Sequence, residues 1–263
     1  MIVILLPAYN EAESIGNLFH ALGLAIERVN QKFKIIVCDD GSTDKTLEQL
    51  IQAQALFKRK YSVDVMIVRH ERNRGLGETM RDLIEIGLEN SFAQDVLIRM
   101  DCDNTHNPKY IEAMVKKIEE GYDVVIASRF QSGGGHSGLS RFRKLTSLSA
   151  KIFMKTFFNI KNVREYTCGF RAYKHEILNL ALAEYGNNFI QLKDLGFVCT
   201  LEKLVKLHLL NARITEIPFI LEYGKKQSGS KMVFNITLFG YIVMAILYRW
   251  PKSGWKSVMK NRN

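Results

Sequence analysis

The stretch Lys34-Ile-Ile-Val-Cys-Asp-Asp-Gly-Ser-Thr-Asp44 decides the fold. A short apolar run breaks into an acid-rich turn at Asp39-Asp40-Gly41. An amphipathic pattern over Thr43–Phe57 follows, with Ser42 or Thr43 as its expected cap. A strand that is apolar without alternation is buried on both faces, and one that feeds directly into a helix belongs to a parallel sheet. The same grammar recurs on either side. Ile2–Leu6, Val63–Val68, Val96–Met100 and Val124–Ala127 read as strands, and Ser14–Val29, Glu78–Leu88 and Pro108–Glu119 as helices. Strand, helix, strand, repeated four times, predicts the α/β class: a Rossmann-like, mostly parallel sheet with right-handed crossovers, flanked by helices.

Ligands of such sheets bind beyond the carboxyl ends of the strands. Four consecutive strand ends carry polar or glycine-rich sequence: Pro7-Ala8-Tyr9-Asn10-Glu11, Asp39-Asp40-Gly41-Ser42-Thr43-Asp44, Asn73-Arg74-Gly75-Leu76-Gly77 and Asp101-Cys102-Asp103. Asp101 and Asp103, at alternate positions past a strand, are hard oxygen donors of the kind that hold a divalent cation with substrate phosphates. A carboxylate at Asp39 or Asp40 can accept from a ribose hydroxyl or a base edge. Tyr9 can lie flat on a base, and Glu11 can accept a hydrogen bond from it.

Composition narrows the partners. The chain has 263 residues, 47% hydrophobic, which supplies a sizeable core and excludes disorder and a disulfide-stapled miniprotein. Cys38, Cys102, Cys168 and Cys199 are dispersed, with no CxxC pair, so a reducing compartment is expected. The N-terminal run reads as a strand and not as a signal peptide. The net charge is +10, but it is unevenly placed. Gly138–His175 carries nine Lys/Arg against Glu165 alone, and Tyr223 onward carries eight with no acid, so the remainder is mildly acidic. Two basic segments therefore look for an anion: nucleic acid, a phosphorylated small molecule or anionic lipid.

Gly133-Gly134-Gly135 is expected to be an irregular, moving loop. A basic amphipathic helix is expected over Arg141–Phe158, with Leu145, Leu148, Ile152 and Phe153 on one side and Lys144, Lys151 and Lys155 elsewhere. Met232–Tyr248 holds 17 uncharged residues, short of the roughly 20 that span a bilayer. It reads as an interfacial or core-packed helix.

Taken together, the five motifs Pro7–Glu11, Asp39–Asp44, Asn73-x-Gly-x-Gly77, Asp101-x-Asp103 and Ser128-Arg129 resemble the family-2 glycosyltransferases of the GT-A fold. The later Tyr166-Thr-Cys-Gly-Phe-Arg-Ala-Tyr173, Glu216-Ile-Pro218 and Ser230-Lys-Met232 resemble the dolichyl-phosphate mannose synthase type. The resemblance runs from residue 7 to 232. It implies a GT-A domain over 1–231, divided into a nucleotide-sugar and metal half at 1–130 and an acceptor half at 131–231. Beyond it, 232–263 forms a basic and apolar C-terminal helical segment, read as interfacial.

By resemblance, Pro7, Ala8, Tyr9, Glu11, Asp39, Asp40 and Cys102 would bind the nucleotide-sugar. Asp101 and Asp103, with Thr105 where the synthases often carry an amide, would bind Mg²⁺ or Mn²⁺. Arg129, Arg143, Ser147, Lys225, Lys226 and Lys231 would hold the acceptor phosphate, and Asp101, Asp103 and Arg129 would carry catalysis. The implied reaction moves a hexose, mannose from GDP-mannose, to a dolichyl or undecaprenyl phosphate. It would occur on the cytoplasmic face of a membrane, with the protein peripheral or monotopic.

A polyprenyl phosphate is already anionic near neutrality, its second pKa being about 6. Positioning arginines can therefore replace the general base that a sugar hydroxyl needs. Arg249-Trp250 has Ile246 where the processive synthases' Gln-x-x-Arg-Trp signature requires glutamine. Two alternatives are a GT-A enzyme acting on a sugar or lipid hydroxyl and a non-catalytic nucleotide or anionic-lipid binding module. Nucleic-acid binding is disfavoured, because no recognition helix or aromatic-interleaved basic motif is present.

Overall fold

The computed structural model describes residues 1–138, 141–225, 234–250 and 254–260; the side chains of 141–145, 234 and 258–260 lie outside that description. The first half alternates as expected: β1 (Ile2–Ala8), α1 (Ala12–Arg28), β2 (Phe33–Asp39), α2 (Thr46–Tyr61), β3 (Asp64–Arg69), α3 (Leu76–Glu89), β4 (Val96–Arg99), α4 (Ile111–Glu119) and β5 (Val124–Ser128). The second half adds β6 (Gly135–Ser137), α5 (Arg141–Phe158), β7 (Arg171–Lys174), α6 (His175–Tyr185) and α7 (Val198–Leu209). It closes with β8 (Ile214–Pro218), β9 (Ile220–Glu222), α8 (Phe234–Arg249) and α9 (Trp255–Lys260).

Seven strands form one sheet in the order β3-β2-β1-β4-β7-β5-β8. Every pairing is parallel except those of β7, which lies antiparallel between β4 and β5. Successive side chains of a strand point to opposite faces, so Ile2, Ile4 and Leu6 join Leu18, Phe19, Ile35 and Phe57 in one core layer. Val3 and Leu5 join Met80, Leu83, Leu204 and Met244 in the other. Each fully buried side chain of this size contributes about 1.5–3 kcal/mol. The helices present the required faces: α1 buries Ile15, Leu18, Phe19 and Leu22 at three-and-four spacing.

Two sequence expectations shift. α2 starts at Thr46 and not Thr43, because Asp44 Oδ1 accepts the Thr46 N–H (2.9 Å). Ser42 and Thr43 are turned to Asn10 instead, Ser42 Oγ accepting the Asn10 N–H at 2.9 Å and the Thr43 N–H donating to Asn10 Oδ1 at 2.8 Å. Gly135 is not irregular. It opens β6, which pairs parallel with β9, and its N–H donates to the Phe219 carbonyl at 3.0 Å. α5 spans Arg141–Phe158, the range the periodicity predicts. Among the described residues no helix is long and apolar enough to cross a membrane.

Candidate functional site

The carboxyl ends of β1, β2, β4 and β5 bring Ala8, Asp39, Arg99 and Ser128 to one edge of the sheet. The antiparallel course of β7 places its amino end there too, Arg171 lying opposite Arg99. That is why the segment from Glu165 to Phe170, far along the chain, reaches the same edge.

On the β2 side, Asp39 and Asp40 behave differently. Asp39 is fully buried, and its Oδ1 accepts the Ser42 N–H at 3.1 Å. Its Oδ2 has no hydrogen-bond partner among the described residues, and Arg69 Nε stands 3.5 Å away. An orphaned buried acceptor of this kind is costly unless a ligand meets it. Asp40, in contrast, is engaged: Oδ1 accepts the Arg74 N–H (2.8 Å) and Oδ2 the Gly75 N–H (2.9 Å). His70 Nδ1 lies 2.7 Å from Asp40 Oδ1, and its Nε2 lies 2.9 Å from Asp82 Oδ2. Asp40 therefore anchors the Asn73–Gly77 turn. Gly41 makes the close approach possible: its φ is +68°, and a Cβ there would lie 2.4 Å from the Arg72 carbonyl carbon.

Pro7 and Ala8 end β1, with Tyr9 half-buried and Glu11 buried just beyond. The Glu11 N–H donates to Thr46 Oγ1 at 2.7 Å, which stitches this turn to α2. Cys102 is buried, and burial first, then the acids Glu11, Asp101 and Asp103, raise its thiol pKa well above the usual range.

On the β4 side, Asp101 is partly exposed and Asp103 buried. Asp101 Oδ1 is 2.5 Å from Arg99 Nη2. The Asp101 N–H donates to His106 Nδ1 at 2.9 Å, which leaves the ring proton on Nε2, 3.4 Å from Asp101 Oδ2. Burial holds the His106 pKa below its ordinary value against the opposing pull of Asp101, so the ring is neutral. It stacks on Phe170, centroids 5.2 Å apart. Thr105 donates its hydroxyl to Asp103 Oδ1 at 2.6 Å. Asn104 takes up a left-handed φ of 63°, and its amide donates to the Ser14 carbonyl at 3.0 Å, fixing this turn to α1. Among the described residues no third His, Cys, Asp or Glu joins the two aspartates as a ready metal cluster.

On the β5 side, Arg129 forms a buried fork with Glu165. Nε donates to Oε2 at 2.6 Å, Nη2 to Oε1 at 2.7 Å, and Nη2 also to Thr167 Oγ1 at 2.8 Å. The backbone N–H groups of Thr167 and Cys168 donate to Glu165 Oε1 as well. Burial pushes the Glu165 carboxyl up, but Arg129 and these donors override it and bring its pKa to about 2. Glu216, whose own pKa burial raises, accepts the N–H groups of Arg164 and Glu165 and so fixes the segment carrying the fork.

The remaining residues singled out by sequence are less central or undescribed. Ser147 is half-buried on α5, and Lys225 is exposed and paired with Glu222 at 2.8 Å. Arg143 lies on α5 with its side chain outside the description, and Lys226 and Lys231 lie outside the described residues. Sequence reading missed Arg99, His70 and His106. Each stands alone in its local pattern and gains meaning only from partners on other strands or turns.

The open, mostly parallel α/β sheet, with acid-bearing turns along one carboxyl edge, belongs to the GT-A fold class. The chain belongs to glycosyl transferase family 2, whose profile matches residues 3–180. It is 28% identical over 240 residues to the dolichol-phosphate mannosyltransferase of Pyrococcus furiosus, covering 91% of this chain and 61% of that protein. It is 32% identical over 179 residues to the undecaprenyl-phosphate 4-deoxy-4-formamido-L-arabinose transferase of Yersinia enterocolitica, covering 68% of this chain and 50% of that one. The chain thus spans about half to three-fifths of these curated relatives. In structure it resembles the Mycobacterium tuberculosis glucosyl-3-phosphoglycerate synthase crystallised with Mn²⁺, UDP and glucosyl-3-phosphoglycerate. The TM-score is 0.60 at 16% identity, over 94% of this chain and 78% of that one, a likeness of fold.

Proposed function

We propose that the chain transfers a hexose, mannose from GDP-mannose, to a polyprenyl phosphate, dolichyl or undecaprenyl, at the cytoplasmic face of a membrane. The observation that carries this reading is the Arg129–Glu165 fork. Transfer to a sugar hydroxyl needs a base near neutral pKa, whereas Glu165 sits at about 2 with both oxygens engaged. The fork engages Nε and Nη2 of Arg129 and, among the described residues, leaves Nη1 for an anion, while Glu165 is a poor proton acceptor. A lipid phosphate, anionic on arrival, suits this arrangement; the names of the two relatives support the same acceptor class. Attack in line on the anomeric carbon would invert it.

Asp39, with its orphaned oxygen, and Pro7, Ala8, Tyr9, Glu11 and Cys102 would hold the nucleotide; Asp40 would act by shaping the turn beside it. Asp101 and Asp103 fit Mg²⁺ or Mn²⁺ in donor chemistry: two hard carboxylates, with diphosphate oxygens and waters left to complete the shell. When bound, such a cation neutralises charge on the departing diphosphate. Thr105 would hold Asp103 in place through its hydroxyl. Arg129, Arg143, Ser147, Lys225, Lys226 and Lys231 would receive the acceptor phosphate.

Residues 1–231 would form the catalytic domain, and the segment from 232 onward would lie on the membrane with α5. Leu148 and Ile152 on α5, and Phe239, Ile242, Ile246 and Trp250 in and beyond α8, are exposed apolar side chains. Phe153, Phe157, Ile242, Ala245, Ile246, Arg249 and Trp250 line an almost wholly apolar cleft between these two helices. Apolar burial together with basic residues is how interfacial helices bind anionic bilayers.

Incubation of polyprenyl phosphate with a panel of nucleotide-sugars tests the reading: a mannosyl lipid from GDP-mannose is expected, and no lipid-linked sugar with any donor would overturn it. Arg129→Ala should raise the acceptor KM at least tenfold while nucleotide affinity stays within a factor of about two. Equal losses on both sides would remove Arg129 from the acceptor site.

A further inference from the structure

Arg99 is a buried arginine at the end of a core strand, a placement the chain tolerates only with a partner. Its guanidinium reaches forward past the end of β4 to Asp101, 2.5 Å away. The path is cut through Gly169: a Cβ there would stand 1.4 Å from Arg99 Nη1, so the glycine of the Cys168-Gly169-Phe170 run is required by this side chain.

Among the described residues no other charge balances Arg99. Its cross-strand neighbour Arg171 is itself a cation, turned to the carbonyls of Thr200 (2.7 Å) and Tyr166 (2.8 Å). Cys168, Tyr173 and Cys199 face it with pKa values raised by burial, so they are neutral near pH 7. Lys203, brought by burial to about 7, adds a further partial positive charge. Asp101 is the one carboxylate within 4 Å of Arg99 among the described residues. Asp103 Oδ1 accepts from the hydroxyl and the N–H of Thr105.

We propose that Arg99 is a positioning residue that keeps Asp101 charge-compensated before nucleotide binds, so that the divalent cation is taken up together with the nucleotide diphosphate and not before it. This rests on the donor-site reading above. A free cation approaching Asp101 meets a carboxylate already neutralised by a guanidinium, with more positive charge buried behind it. A diphosphate brings the missing negative charge, and the cation then sits between two anions.

The test is direct Mn²⁺ binding by the full chain, read from the paramagnetic resonance of free Mn²⁺, with and without GDP or UDP. Wild type is expected to bind Mn²⁺ at least tenfold more tightly with nucleoside diphosphate than without. Arg99→Met should bind Mn²⁺ alone at least tenfold more tightly than wild type, and Arg99→Lys should restore the dependence on nucleotide. Equal wild-type affinity with and without nucleotide overturns the proposal and needs no variant, so misfolding of Arg99→Met leaves it refutable. An unchanged or weaker Mn²⁺ affinity in folded Arg99→Met overturns this inference alone. No Mn²⁺ binding to wild type even with nucleotide overturns the metal reading along with it.

Discussion

Replacing Glu165 by glutamine isolates the charge of the Arg129 fork while keeping its shape. Glu165 is fully buried and the Arg129 side chain 11% exposed, so the substitution leaves a guanidinium buried without its counter-ion. Removing one partner of a buried pair costs about 3–5 kcal/mol. The titration gives a second route to the figure: a fall from 4.5 to about 2 in the Glu165 pKa corresponds to about 3 kcal/mol at neutral pH. For a domain of this size that is a loss of about 6–12 °C in Tm.

The sign with pH follows from the depressed folded-state pKa. Ionised Glu165 stabilises the wild type fully above pH 4.5, and the contribution is lost as pH falls from there towards 2. Urea unfolding of both proteins at pH 7 and pH 3 should therefore show a gap of about 3 kcal/mol that narrows by roughly half or more. A gap below about 1 kcal/mol at pH 7, or one of equal size at both pH values, would refute the assignment of Glu165 as a buried anion held by Arg129.

Two other outcomes follow from the geometry. His70→Ala removes the ring that joins Asp40 to Asp82 and should raise the donor KM about tenfold, the cost of one or two hydrogen bonds, with the acceptor KM unmoved; steady-state kinetics with each substrate varied would show it, and equal changes in both would refute it. The double substitution Ile242→Glu with Ile246→Glu on exposed positions of α8 should cut binding to anionic vesicles at least tenfold while leaving turnover of a short, water-soluble prenyl phosphate within about twofold. Unchanged vesicle sedimentation would remove α8 from the membrane face.

Local pattern carried the first half of the fold. β1, β2, β4 and β5 are the apolar runs that core strands require, β3 keeps such a run although it is the half-buried edge strand, and the intervening helices show their buried stripes directly. β7 was invisible, because Arg171-Ala-Tyr-Lys174 has neither apolar alternation nor a turn signal; what makes it a strand is the open edges of β4 and β5 on either side. The site divides in the same way. Asp39, Asp101, Asp103 and Arg129 follow strands and could be placed at the sheet edge from sequence. What each touches could not, because Arg129 meets Glu165 from 36 positions away and Asp40 meets a turn 34 positions on. Hydrogen bonds between distant turns leave no periodic trace.

The insertion of β7 also orders events during synthesis. β1 to β4 emerge in sequence and can pair with one another as they appear, since β1 bonds both β2 and β4 and β2 bonds β3. β5 leaves the ribosome next, but its partners in the sheet, β7 and β8, have not yet been made. Until residue 174 is available, the apolar strand Val124–Ser128 has no edge to join, and Arg129 has no Glu165 to meet. The nascent chain must therefore carry an unpaired core strand through the synthesis of residues 129–174. That exposed interval is the stretch most in need of chaperone cover while the protein is being made.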